Sequence, residues 1–101
     1  MAYIRVWQFQ VKPGLEADFE RVYGPQGDWA QLFRRAFGYQ GTELLHDVAG
    51  PRHYVTIDRW ESESAFAAFK HEFSADYRRM DNACESFTES EASLGDFLNI
   101  T

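Results

Sequence analysis

The residues of this sequence with chemical potential are three histidines, one strand acid and two strand arginines. His46 and His53 flank "DVAGPR", the connection between two strand-like stretches, so both rings belong to the end of a hairpin. Imidazole titrates near neutrality, which suits a general base. His46 is the preferred candidate, because His53 stands beside the turn; the plainer reading of both is a hairpin-end ring partly in water. Two cross-strand imidazoles could hold a metal, but a catalytic zinc site usually takes three protein ligands. No third ligand is evident, and no metal is expected. His71 falls on a helix flank and reads as surface.

Asp58 and Arg59 lie in "HYVTIDRWES" and point to opposite faces if the strand runs that far. A buried Asp58 needs hydrogen bonds or a charged partner, since an unpaired carboxylate is costly to bury. It would serve either as a tie at the strand end or as a base or orienting group. Arg59 or Arg5 would stabilise a developing negative charge. Tyr54, Trp60, Trp7 and Trp29 offer flat walls for a flat ligand, with core and interface packing as their ordinary role. Phe66, Phe69, Phe73 and Met80 recur at helical spacing and read as core first and pocket lining second. Cys84 falls in the same apolar stripe, as an inert thiol rather than a nucleophile.

The elements that must position these residues follow from periodicity. "YIRVWQFQV" reads as a strand, with Tyr3, Trp7, Phe9 and Val11 on one face and Ile4 and Val6 on the other. Pro13 stands near a helix start, and Leu15, Phe19, Val22 and Tyr23 form one helical face. "GPQG" breaks that helix. Asp28 is placed to cap a second one, with Trp29, Leu32, Phe33 and Phe37 on its apolar side and Gly38 as its stop. "YQGTELLHDV" and "RHYVTIDRW" are then two strands joined by a tight turn. If "AG" is a two-residue turn, His46 sits opposite His53. His46, Leu44, Val55 and Ile57 would then share one face, and Leu45, Glu43, Tyr54, Thr56, Asp58 and Trp60 the other. Ser62 caps a helix that continues, straight or kinked, through Tyr77, Met80, Cys84 and Phe87. "TESE" (88–91) has the form of a capping box, Thr88 with Glu91, and "LGDFLNI" (94–100) closes the chain as a strand.

The order βα(α)ββαβ fits a ferredoxin-like α+β sandwich over residues 1–101, a single domain by length: a four-stranded antiparallel sheet with helices on one face. The first and third strands become central. Both carry apolar residues on both faces, and an uncovered apolar sheet face is one that soluble monomers avoid. A homodimer packed sheet to sheet is therefore expected.

Composition narrows the function classes. The 101 residues carry a net charge of −6, which argues against a nucleic-acid surface. No apolar run is long enough to span a membrane. The start "MAYIRVWQFQV" lacks the pattern of a signal peptide. One cysteine, Cys84, cannot form an internal disulfide and fits a reducing cytoplasm. There is no Gly-rich phosphate loop, dinucleotide fingerprint or Cys/His cluster, so no cofactor is expected. That agrees with a cofactor-free enzyme and equally with no enzyme.

In "VKPG" (11–14), "YGPQGDWAQLF" (23–33), "GYQGTELL" (38–45), "IDRWES" (57–62) and "LGDF" (94–97), in this order through essentially the whole chain, the sequence resembles the antibiotic biosynthesis monooxygenase family of dimeric α+β barrel proteins. The resemblance implies a ferredoxin-like monomer, a barrel formed by two sheets in the dimer, and a pocket between sheet and helices. Some members oxygenate electron-rich phenols without metal or flavin; the deprotonated substrate itself reduces dioxygen. On that footing the expected activity is cofactor-independent oxidation of an aromatic or quinol-like small molecule. His46 would be the base, with Asp58 at the pocket rim and Arg5 or Arg59 stabilising the phenolate. Trp60, Tyr54, Trp7, Trp29 and Phe69 would line the substrate. The alternative is a non-catalytic protein that holds a small apolar molecule in the same pocket. Haem-degrading relatives use an Asn, a Trp and a His where this sequence has about Gln8, Phe69 and Arg79, so haem degradation is a distant third.

Overall fold

β-Branched and aromatic residues dominate "YIRVWQFQV", and in the computed structural model, which describes residues 1–100, they form strand β1 (Tyr3–Val11). β1 pairs antiparallel with β3 (His53–Trp60) on one side and with β4 (Thr88–Leu98) on the other. β2 (Tyr39–His46) lies beyond β3, giving the order β2-β3-β1-β4 with β1 and β3 central. The helices α1 (Glu16–Tyr23), α2 (Asp28–Phe33), α3 (Glu63–Glu72) and α4 (Ser74–Cys84) cover one face. The fold is the ferredoxin-like α+β sandwich.

Local chemistry explains the helix positions. Phe19, Val22 and Tyr23 bury the apolar face of α1 against the sheet. The Ser62 hydroxyl accepts the Ala65 N–H at 3.1 Å and caps α3, a contact worth about 1 kcal/mol in comparable helices. At Phe73 the backbone leaves helical geometry (φ −106°, ψ 27°) and α4 starts in a new direction. Gly38 lets α2 return to β2: its φ is +92°, and an added Cβ would lie 2.7 Å from the Ala65 Cβ. Trp60, Tyr54, Phe19, Phe69 and Val11 are the largest fully buried side chains, at the sheet–helix interface.

Four expectations are corrected. The hairpin turn is longer than two residues, and His46 pairs with Tyr54, not His53. The Asp47 carboxylate takes the Ala49 N–H at 2.8 Å, and Asp47 N–H donates to the His53 carbonyl at 2.9 Å. Pro51 has no N–H for a ladder. This one-residue change puts His46, Leu44 and Thr42 on the face of Tyr54, Thr56 and Asp58. Thr88 and Glu91 do not cap a helix: a single tight turn (Glu85–Phe87) precedes them, and from Thr88 the chain pairs with β1. The ladder takes the backbone groups that a cap would have served. Asp28 is the first residue inside α2, and the cap position is Gly27. Phe37 is 83% exposed, because α2 ends at Phe33 and its period does not reach that far.

The sheet face away from the helices carries Ile4, Val6, Val55 and Ile57, all half-buried, with Leu45 and Phe97 exposed beside them.

Candidate active site

Strand alternation turns Arg5, Trp7 and Phe9 of β1 toward the helices, where they meet Asp58, Thr56 and Tyr54 of β3 respectively. β2 places Thr42 beside Asp58 on the same face. Over this floor α2 brings Trp29 and α4 brings Tyr77. Between them lies a cavity of about 260 Å³. That is just under the range of about 300–1,000 Å³ typical of drug-sized ligands, so it suits a small ring system.

Asp58 is the acid in its floor. Its Oδ1 accepts the Thr42 hydroxyl at 2.6 Å, and the Thr42 oxygen lies 2.6 Å from the Tyr39 hydroxyl. Since Thr42 spends its proton on Asp58, Tyr39 is the donor in the second contact. Burial pushes the Asp58 carboxyl up to about 6, although the Thr42 bond and the Arg5 charge both pull it down. It is therefore ionised at neutral pH yet close enough to that range to exchange a proton with a substrate.

Arg5 is clamped from behind. Its Nε lies 3.4 Å from Asp96 Oδ1, and Tyr3 donates to the other carboxylate oxygen at 2.8 Å. Its guanidinium carbon sits 4.2 Å above the Phe66 ring. The Tyr77 hydroxyl is raised by burial and lowered by the neighbouring Arg5, so it stays protonated. The floor thus holds a fixed cation and a basic carboxylate in a chamber walled by aromatic rings, with Lys70, Asp81 and Glu91 also in its lining. That arrangement can take a proton from an acidic O–H or C–H group and stabilise the anion left behind.

Of the residues singled out in the sequence, Arg5, Asp58, Trp7 and Trp29 meet at this cavity. The others do not line it. Arg59 faces the opposite side of the sheet and binds Glu43 at 2.8 Å. His46 is exposed, stacked on Tyr54 with ring centroids 4.5 Å apart, its Nε2 2.8 Å from the Pro51 carbonyl oxygen. Tyr54 is core, and its hydroxyl donates to Glu20. Trp60 packs edge-on against Phe33 and Phe66 and tilted against Phe69, whose own ring is equally enclosed. Thr42, Thr56, Tyr23 and Tyr77 went unnoticed as site residues. Tyr23 and Tyr77 belong to apolar helical stripes that read as core, and Thr42 is recognisable only once the hairpin register is known. Among the described residues no three His, Cys, Asp or Glu side chains converge as a metal site. No helix is long and apolar enough to cross a membrane.

A family model for antibiotic biosynthesis monooxygenases matches residues 2–80. The chain belongs to that family. Among solved structures, SnoaB from Streptomyces nogalater, a cofactor-independent oxygenase, shares 23% identity and superimposes with a TM-score of 0.82, covering 99% of this chain and 94% of that one. An antibiotic biosynthesis monooxygenase homologue from Bordetella bronchiseptica shares 26% identity with a TM-score of 0.73, covering 99% and 98%. A search of the curated proteins gives no match. At these identities the SnoaB likeness is one of fold. In this family member the acid–cation pair of the cavity floor consists of Asp58 and Arg5.

Proposed function

We propose that this protein is a cofactor-independent monooxygenase that oxidises a small aromatic or quinol-type molecule with dioxygen. The observation that carries this reading is the Asp58–Arg5 pair, set side by side in the floor of an aromatic-walled cavity. Family membership and the SnoaB fold support it. Asp58 takes the role of base in place of His46, which stands outside the cavity. It removes a proton from the activated carbon or hydroxyl of the substrate, and Arg5 stabilises the resulting anion. The anion passes one electron to dioxygen, and the radical pair joins to form a carbon-bound peroxide. The proton returns from Asp58 to give the hydroperoxide. Loss of the remaining C–H proton with cleavage of the O–O bond then leaves a carbonyl and one water. Trp7 and Trp29 hold the ring flat and keep bulk water out.

The test is oxygen uptake with a model anthrone and a panel of quinols. Uptake of one dioxygen per substrate, with one of its oxygen atoms retained in the product carbonyl and no hydrogen peroxide released, supports the reading. Ligand binding without uptake across the panel assigns the cavity to binding alone.

The working form in this proposal is a homodimer. The half-buried Ile4, Val6, Val55 and Ile57, with exposed Leu45 and Phe97, form an apolar sheet face that a second copy would cover. Sedimentation should give twice the chain mass of 11.7 kDa at micromolar protein; a clean monomer would remove this part.

A further inference from the structure

The carboxylate in the cavity floor is the inner end of a chain of hydroxyls. Asp58 Oδ1 accepts the Thr42 hydroxyl at 2.6 Å, and the Thr42 oxygen lies 2.6 Å from the Tyr39 hydroxyl. Asp58 and Thr42 line the cavity, and Tyr39 stands behind them, outside it. The chain runs from the central strand β3 to β2, an edge strand of the sheet. Tyr39 is half-buried there, close enough to the exposed Arg34 to feel its charge.

A local irregularity of β2 builds this chain. Tyr39 and Thr42 are three positions apart, so in an unbroken strand their side chains would face opposite sides of the sheet. Tyr39 instead pairs with Trp60 and Gly41 with Arg59, which leaves Gln40 as an extra residue without a partner on β3. This is a β-bulge, a device that re-aims a side chain. It turns Tyr39 onto the face of Thr42 and Asp58 and leaves Gln40 exposed. Gly41 carries the unusual backbone, with φ +144°. An added Cβ at Gly41 would meet nothing within 4 Å, so the path of the chain, not crowding, calls for glycine.

Each hydroxyl both donates and accepts, so a proton can pass along the line without leaving charge on either. Burial raises the Tyr39 hydroxyl above its ordinary value, against the pull of the Thr42 bond and Arg34, so Tyr39 carries its proton at neutral pH.

We propose that Thr42 and Tyr39 form a proton relay that connects Asp58 with solvent through the back of the cavity while a ligand fills its front. This rests on reading Asp58 as the base of the proposed reaction. Protonated Asp58 gives its hydrogen to the Thr42 oxygen, Thr42 passes its own to Tyr39, and Tyr39 releases its own to water. Each hydroxyl breaks one O–H bond and forms one, and the carboxylate is regenerated. The reverse sequence carries a solvent hydrogen inward. Tyr39 touches no substrate: it is a positioning residue that acts through Thr42.

The experiment incubates the protein with protiated anthrone in deuterium oxide without oxygen. Mass spectrometry follows deuterium entering the acidic carbon above the protein-free rate. With the relay, Asp58 trades the substrate hydrogen for a solvent one before returning it; without the relay, the same hydrogen goes back and no label enters. Oxygen uptake in the same buffer is the reference, because damage to the fold lowers both rates and leaves their ratio unchanged. Tyr39→Phe and Thr42→Val should each lower the ratio of exchange to uptake about tenfold or more. Thr42→Ser, which keeps the hydroxyl, should hold the wild-type ratio. An unchanged ratio in Tyr39→Phe would overturn the relay and leave the oxygenase reading standing. Exchange that depends on both hydroxyls, without oxygen uptake, would support the relay and sink only the oxygenase activity. Neither exchange nor uptake in the wild type would remove Asp58 as a base, and the relay with it.

Discussion

Arg5 and Asp58 are direct cross-strand partners on the two central strands, on the sheet face that the helices cover. That relationship brings the two opposite charges of the cavity floor into one site. The cation is held by Asp96 and the Phe66 ring, and the carboxylate by Thr42. Neither needs to move before a substrate arrives, which is the condition for electrostatic preorganisation.

Replacing the base should silence the chemistry. Asp58→Asn is expected to lower oxygen uptake at neutral pH by about a hundredfold or more, the usual worth of a positioned general base. In the wild type, kcat/KM should climb through a midpoint of about 6 and level off above it. A variant retaining more than a third of the activity would exclude Asp58 as the base.

The same substitution should stabilise the fold, with a definite pH dependence. Burial raises Asp58 from 3.8 to about 6, so the folded state holds the proton more tightly than the unfolded chain. The stability tied to this proton is fully present below the unfolded value and is lost as pH rises through the folded one. Asp58→Asn should match the wild type near pH 4 and exceed it by about 1–3 kcal/mol above pH 7. Urea unfolding at the two pH values measures the difference; a gap that shrank with rising pH would contradict the burial argument.

Thr42 tunes the acid. Its hydroxyl bond to Asp58 favours the ionised form. Thr42→Val should therefore move the midpoint of the pH–rate profile upward by about one unit, the equivalent of one hydrogen bond. A midpoint that stays put or falls would show that the bond does not act on the titrating group.

His46→Ala should leave turnover within about twofold of the wild type, since surface changes away from a site have small effects. The ring is exposed, stacked on Tyr54 and turned toward the Pro51 carbonyl. A large loss of kcat would return His46 to the mechanism.

The sequence by itself determined the order of elements and the facing of residues within each central strand. Strand period is a local property of the chain: Tyr54, Thr56, Asp58 and Trp60 share a face whatever surrounds them, and Arg59 cannot join them. Tertiary structure decided the rest. The pairing of Thr42 with Asp58, and of His46 with Tyr54, depended on a loop shaped by the Asp47 side chain and by Pro51. A shift of one residue there reverses every side chain of β2 relative to β3. Likewise, Trp7 and Trp60 look alike as flat aromatics on strands. Only the placement of the helices distinguishes them: α2 and α3 close over Trp60 with Phe33, Phe66 and Phe69, whereas Trp7 is left open to the cavity. Burial depends on what packs above a residue, and that is a property of the assembled layers rather than of any segment.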